Sequence, residues 1–192
     1  MIEKTSTLIT EAVFSDDGAK RYLLKKTWNV TKPKLTIVML APSQASEVSM
    51  DTTTQLVVNN VSRLGYGSVA IVNLFATLND FALKQAEEED PENLDAILRA
   101  VEEADQLVYA PGTGKSKNKV FQKRQEQVLL AVRSYEDRLH CLCDKDGGSR
   151  HLHPLSPRVR EWHLAPLRIS ELIEFAAEET PKEKKGKRGK NL

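Results

Sequence analysis

The sequence predicts an α/β fold, a three-layer α/β/α sandwich around a mostly parallel central sheet. Three observations carry that expectation. Strand-like apolar runs alternate with segments of helical periodicity through the middle of the chain, the pattern of repeated strand-helix-strand units. One run, Leu35-Thr36-Ile37-Val38-Met39-Leu40, is apolar at nearly every position, as a strand covered on both faces requires. The chain has 192 residues, 40% of them hydrophobic, enough for one domain to fill a core without disulfide or metal staples.

Lys20 to Trp28 reads as the first strand and Leu35 to Leu40 as the second, stopped by Ala41-Pro42-Ser43. Thr52 to Leu64 carries Leu56, Val57, Val61 and Leu64 on a helical stripe that Asn60 interrupts, and it ends at Gly65, as helices often do. Val69 to Ala76 gives a third strand. Pro91 to Ala104 follows as a helix, with acidic residues early and an apolar face of Leu94, Ile97, Leu98 and Val101. Gln106 to Ala110 is a fourth strand, Lys119 to Arg133 a helix, Arg138 to Cys143 a fifth strand, and about Ile169 to Ala177 a last helix.

Net charge is only +1, but residues 179–192 hold six Lys/Arg against two Glu, which leaves 22 basic and 25 acidic side chains in residues 1–178. The expected organisation is therefore a single α/β domain over 1–178 and a basic tail over 179–192 with too few apolar groups to order itself. Such an arm either attracts phosphates without regard to sequence or simply solubilises the terminus. Cys141 and Cys143 are one residue apart, too close for an ordinary disulfide, and no second pair completes a zinc site. Neither a basic-then-apolar leader nor a run of roughly 18 to 20 apolar residues is present, so the chain is expected to be cytoplasmic, without a membrane partner. No metal and no cofactor is expected.

Parallel sheets place ligand sites in the crevice beyond the carboxyl ends of their strands. Ala41-Pro42-Ser43 leaves the second strand, Asn73 closes the third, and Ala110-Pro111-Gly112-Thr113-Gly114 leaves the fourth. A Pro-rich loop after the fifth strand, His153-Pro154-Leu155-Ser156, is placed to close over the same crevice.

With Phe14-Ser15-Asp16, Arg21-Tyr22-Leu23-Leu24, Gly65-Tyr66-Gly67 and Val72-Asn73-Leu74-Phe75-Ala76, these motifs resemble a bacterial and phage family known only as a domain of unknown function. More remotely the pattern is similar to the uracil-DNA glycosylase superfamily. There an early strand ends in a Pro motif, a later strand ends in a base-reading Asn, and a late loop reads His-Pro-Ser. The resemblance implies a glycosylase-like fold and a monomeric DNA glycosylase, which hydrolyses the bond between sugar and base to leave an abasic site. The phage association points to a modified base, such as a hypermodified cytosine in invading DNA, and hence to antiviral defence.

Glycosylase chemistry explains why these residue types would be wanted. The base is flipped from the stack, held by its edge and released as an anion while water attacks an oxocarbenium-like sugar. The Asn73 amide offers a donor and an acceptor to a base edge, and a strand end fixes its direction. Pro42, Ser43, Gln44 and Phe75 complete the expected substrate contacts. His153 would donate a hydrogen bond to the departing base, Leu155 would wedge into the vacated stack, and Ser156 and Arg158 would meet phosphates. In glycosylases with an Asp or Asn before the Pro of the first motif that side chain positions or activates water, and the unknown-function family usually looks like Asn-Pro-Ser there; this chain has Ala41. A nearby carboxylate must then take that role, Asp51 first and Glu47 second, unless Asp51 serves only to cap the helix that begins at Thr52.

Two alternatives stay open. A non-catalytic nucleic-acid-binding module could keep this fold after losing the residue at position 41. A nucleotide hydrolase could use Gly112 to Ser116, which is close to a phosphate-cradling Gly-x-x-x-x-Gly-Lys-Ser loop but has Tyr109 where the first glycine belongs. In the glycosylase reading Lys115, Lys117 and Lys119 of the same loop approach DNA phosphates instead.

Overall fold

The structure is a computed structural model that describes residues 1–43, 48–78, 90–112 and 118–172. In chain order it runs β1 (Ile9–Phe14), β2 (Arg21–Thr27), β3 (Lys34–Met39), α1 (Thr52–Arg63), β4 (Ser68–Asn73), α2 (Pro91–Glu102), β5 (Gln106–Tyr109), α3 (Lys119–Ala131), β6 (Leu139–Cys143) and β7 (His163–Pro166). A further helix opens at Ile169. The seven strands form one sheet in the order β1-β2-β4-β3-β5-β6-β7.

The centre of that sheet is parallel: β3 pairs with β4 on one side and β5 on the other, and β5 pairs with β6. Both flanks are antiparallel, through β1–β2, β2–β4 and β6–β7. The expectation of a mostly parallel sheet is thus corrected to a mixed one. Lys20 to Trp28 opens no strand-helix unit; β2 is the second arm of a hairpin turned at Gly18, whose φ of 68° suits glycine. At the other edge β7 is only four residues long and ends in Pro166, which an edge strand tolerates because its outer N–H has no ladder partner to lose.

Strand side chains alternate, so each strand feeds two cores. Val38, Val72, Leu107, Tyr109, Leu139 and Cys141 pack with residues of α2 and α3, whereas Ile37, Met39, Val69, Ile71, Val108, Ala110 and Leu142 pack with Val57 and Val61 of α1. The second core is finished by Val159 and Trp162, which follow the His153 loop. At the amino ends of the parallel strands Gly67 is required by space, because a Cβ there would lie 1.9 Å from the Asn29 carbonyl oxygen. Among the described residues no helix is long and apolar enough to cross a membrane.

Candidate functional site

Register settles which side of the sheet the site occupies. Asn73 pairs with Met39, a residue of the α1-side core, and lies two and four positions from Ile71 and Val69 of the same core, so the Asn73 carboxamide faces that side at the carboxyl end of β4. It is 1% exposed, and among the described residues neither its Nδ2 nor its Oδ1 has a hydrogen-bond partner. A buried amide left unbonded costs about 1–3 kcal/mol, which marks this carboxamide as a candidate ligand contact.

On the same side, β2 brings Arg21 to the end of the sheet. Arg21 is 1% exposed, and its guanidinium donates through NH1 to the Ser43 carbonyl at 3.2 Å, tying β2 to the turn after β3. Asp51 caps α1, its carboxylate accepting from the Thr54 amide at 2.7 Å. Partial burial pushes the Asp51 carboxyl up, but the Ser43 hydroxyl, the Thr54 amide and hydroxyl and the Arg21 charge outweigh it and hold it below its usual 3.8. Asp51 is therefore a helix cap and an ionised carboxylate at the strand ends at once.

The His153 loop arrives over β5. Gly112 has a φ of 77°, and a Cβ there would stand 3.1 Å from the His153 Cβ, so the turn after β5 and the late loop touch. The Leu155 amide donates to His153 Nδ1 at 3.1 Å, which places the ring proton on Nε2. Burial lowers the His153 pKa below 6.5, keeping the ring neutral at pH 7 with Nε2–H as a donor. The Ser156 amide closes the turn onto the His153 carbonyl at 2.8 Å. Leu155 projects into solvent, 49% exposed, at the tip. Upstream, His151 holds a φ of 59°, a costly conformation for a side chain with a Cβ, and backbone strain of this kind gathers at functional sites.

The segment after the loop is moored to α1 by Asn60. Its Oδ1 accepts from the Trp162 amide at 2.9 Å and its Nδ2 donates to the Arg160 carbonyl at 3.2 Å. The polar residue that interrupts the α1 stripe is thus the fastening of the late loop, a role visible in sequence only as an Asn on an apolar face. From the opposite side, Asn93 at the start of α2 donates to the carbonyls of Asn73 and Leu74, both at 3.1 Å, and Arg124 of α3 donates to the Leu74 carbonyl at 2.8 Å. Neither Asn93 nor Arg124 stood out in the sequence, because polar residues in amphipathic helices read as solvent-facing.

The structure therefore brings together Pro42, Ser43, Asp51, Asn73, Gly112 and His153 at one end of the sheet. Phe75 lies instead in the α2 and α3 core, 5% exposed. Lys119 is exposed in the first turn of α3, and exposed Arg158 donates to the Ser149 hydroxyl at 2.8 Å. Gln44, Glu47, Lys115 and Lys117 lie outside the described residues, as does the 179–192 tail. Tyr109, in place of the first phosphate-loop glycine, is buried and donates to Gln125 at 2.8 Å. Trp162 is a core residue, 1% exposed. Cys141 and Cys143 are free and buried, and among the described residues no three His, Cys, Asp or Glu side chains form a cluster suited to a metal. An open groove of about 330 Å³ lies elsewhere, between β1 and α2, lined by Phe14, Tyr22, Glu92 and Arg99 among others.

Fold and site together define an α/β protein with a mixed seven-stranded sheet that gathers polar groups at the carboxyl ends of its parallel strands. The chain belongs to the DUF1643 family, described as a protein of unknown function, whose profile matches residues 21–155. The match begins at Arg21 and ends at Leu155, and so spans every strand-end group described above. No curated protein and no solved structure matches the chain.

Proposed function

We propose that the protein is a DNA glycosylase on a three-layer, uracil-DNA-glycosylase-like fold, which hydrolyses the N-glycosidic bond of a modified or damaged base. The observation that carries this reading is the Asn73 carboxamide, buried and without a hydrogen-bond partner among the described residues, at the end of the parallel strands where the His153 loop meets the turn after β5. A buried amide with no partner among the described residues suits a ligand edge with one donor and one acceptor, which nucleobases have. A neutral histidine donor suits the anion that a departing base becomes, because the bond strengthens as charge develops.

Asp51 takes the part left empty by Ala41. A carboxylate held below its usual pKa is a weak proton acceptor at neutral pH but a strong stabiliser of the oxocarbenium-like sugar. Leu155 fills the gap in the stack, and Ser156, Arg158, Lys115, Lys117 and Lys119 meet the backbone phosphates. Ala41 is smaller than the Asn that the resembling family usually has before its Pro, which favours a base with a bulky substituent, such as a hypermodified cytosine of phage DNA.

The test is incubation with duplex and single-stranded DNA carrying a panel of modified and damaged bases, followed by alkali treatment. Alkali-labile sites at the modified base are the expected result. No cleavage on any substrate, with tight DNA binding retained, would instead identify a non-catalytic binding module. ATP consumption abolished by Lys115→Ala would identify a nucleotide hydrolase.

A further inference from the structure

The sheet alone does not fix the direction of a side chain at a strand end, because the last peptide groups have outrun part of their ladder. Past the end of β4 the Leu74 amide donates to the Met39 carbonyl at 2.8 Å and the Phe75 amide to the Leu40 carbonyl at 3.0 Å, and the next backbone bond toward β2 comes at Ala76, whose carbonyl accepts from the Arg21 amide at 2.8 Å. The carbonyls of Asn73 and Leu74 are taken up by side chains from two helices. One Asn93 amide nitrogen spans both at 3.1 Å, and the Arg124 Nε binds the second at 2.8 Å. Asn93 is 0% exposed and Arg124 8% exposed. Asn93 is itself held where α2 begins, its amide bonded to the Asp90 cap at 3.1 Å.

We propose that Asn93 and Arg124 form a clamp that sets the orientation of the Asn73 carboxamide from the opposite side of the sheet. The clamp rests on the reading of Asn73 as the base-contacting group. Both are positioning residues: Asn93 holds the Asn73 carbonyl, in the peptide plane attached to the Asn73 Cα, and with Arg124 it holds the Leu74 carbonyl in the next plane, so together they fix the backbone from which the Asn73 Cα–Cβ bond departs. An active group displaced by about 1 Å can lose on the order of 100-fold in rate, so the clamp should control chemistry more than affinity.

Two measurements on the full chain test this. In the first, the Asn73 side-chain NH₂ pair, assigned by its absence from Asn73→Ala, is followed by NMR without DNA. The wild-type protein should give one sharp pair, and Asn93→Asp, which keeps the shape and loses the donor, should shift, split or broaden it. Arg124→Met should do the same, and Arg124→Lys, which restores one donor, should return it toward wild type. In the second, single-turnover base release should fall about 100-fold in Asn93→Asp with DNA affinity changed less than about threefold. An Asn73 NH₂ pair unmoved in both Asn93→Asp and Arg124→Met, with melting temperature alone reduced, would overturn the clamp. Failure of the glycosylase reading looks different: the wild-type protein would release no base from any DNA, whatever the NMR pair does.

Discussion

Replacing Asn60 by alanine should cost about 2–3 kcal/mol of stability, a figure that follows from four atoms. The Trp162 amide, buried and bonded to Oδ1 at 2.9 Å, loses its acceptor, and leaving such a donor unmade costs about 1–3 kcal/mol. The Arg160 carbonyl, bonded to Nδ2 at 3.2 Å in a half-buried setting, adds about 0.5–1.5 kcal/mol. The 2.9 Å bond from Nδ2 to the Leu56 carbonyl duplicates a helix carbonyl's own bond and adds little. Alanine's better helix propensity returns up to about 0.7 kcal/mol. Urea unfolding followed by tryptophan fluorescence reads the loss directly, since Trp162 lies in the core beside the perturbation. Asn59→Ala, one position away and exposed, is the control and should be neutral or more stable by up to about 0.7 kcal/mol. Because Asn60 moors the segment that follows His153, base release should also fall further than the folded fraction does. An Asn60→Ala protein as stable as the Asn59→Ala control would refute the reasoning.

His153→Ala should slow single-turnover release by about 100- to 1,000-fold, the usual effect of removing one charge-stabilising donor, with DNA affinity nearly unchanged by filter binding. The pH dependence of stability follows from His151 and His153, both held below 6.5 chiefly by burial. As pH falls through 6.5 the unfolded chain gains protons that the folded one does not, so stability present at neutral pH declines, and it levels off once both histidines protonate in the fold. The double variant His151→Gln, His153→Gln should flatten that decline in urea titrations at successive pH values; an unchanged slope would assign it to other groups. Asp51→Ala should cost about 1 kcal/mol as a lost cap while Asp51→Asn keeps the cap, and both should lose base release if the charge matters. Full release by Asp51→Asn would leave Asp51 a cap alone. Gly112→Ala should lower the melting temperature, as alanine at a φ of 77° costs about 1 kcal/mol or more and its methyl presses His153. Removing residues 179–192 should weaken binding to unmodified DNA and flatten its salt dependence, with base choice unchanged.

What the sequence revealed and what it hid follow one physical rule. Leu35 to Leu40, Val69 to Asn73 and Gln106 to Tyr109 were legible because a strand covered on both faces must be apolar throughout. The helices at Thr52, Pro91 and Lys119 were legible from periodicity, and each carries a side-chain cap at Asp51, Asp90 or Asn118. The edges were not. β1, with Ile9 and Val13 half exposed among polar neighbours, and the four-residue β7 bury too little to impose a pattern, and their pairing direction is decided by partners remote in sequence. At the site, Asn73 and the turn at Pro42 stood out because a polar or rigid residue at a strand end contradicts the strand that precedes it, and His153 because it heads a Pro-rich loop after the fifth strand. Arg21, Asn93 and Arg124 did not, since each is a polar residue whose burial depends on which neighbour covers it, and Asn60 showed only as a break in an apolar stripe.

The central claim, that Asn73 holds a base while its glycosidic bond is hydrolysed, is tested most directly by counting products. DNA carrying modified bases is incubated with excess protein, free base is quantified by mass spectrometry, and new abasic sites are counted with an aldehyde-reactive probe. The account predicts one free base for each abasic site from the wild-type protein, with both lost together in Asn73→Ala while DNA affinity holds within a few fold. Abasic sites formed as fast by Asn73→Ala as by the wild-type protein would contradict it, as would the absence of free base from every modified DNA.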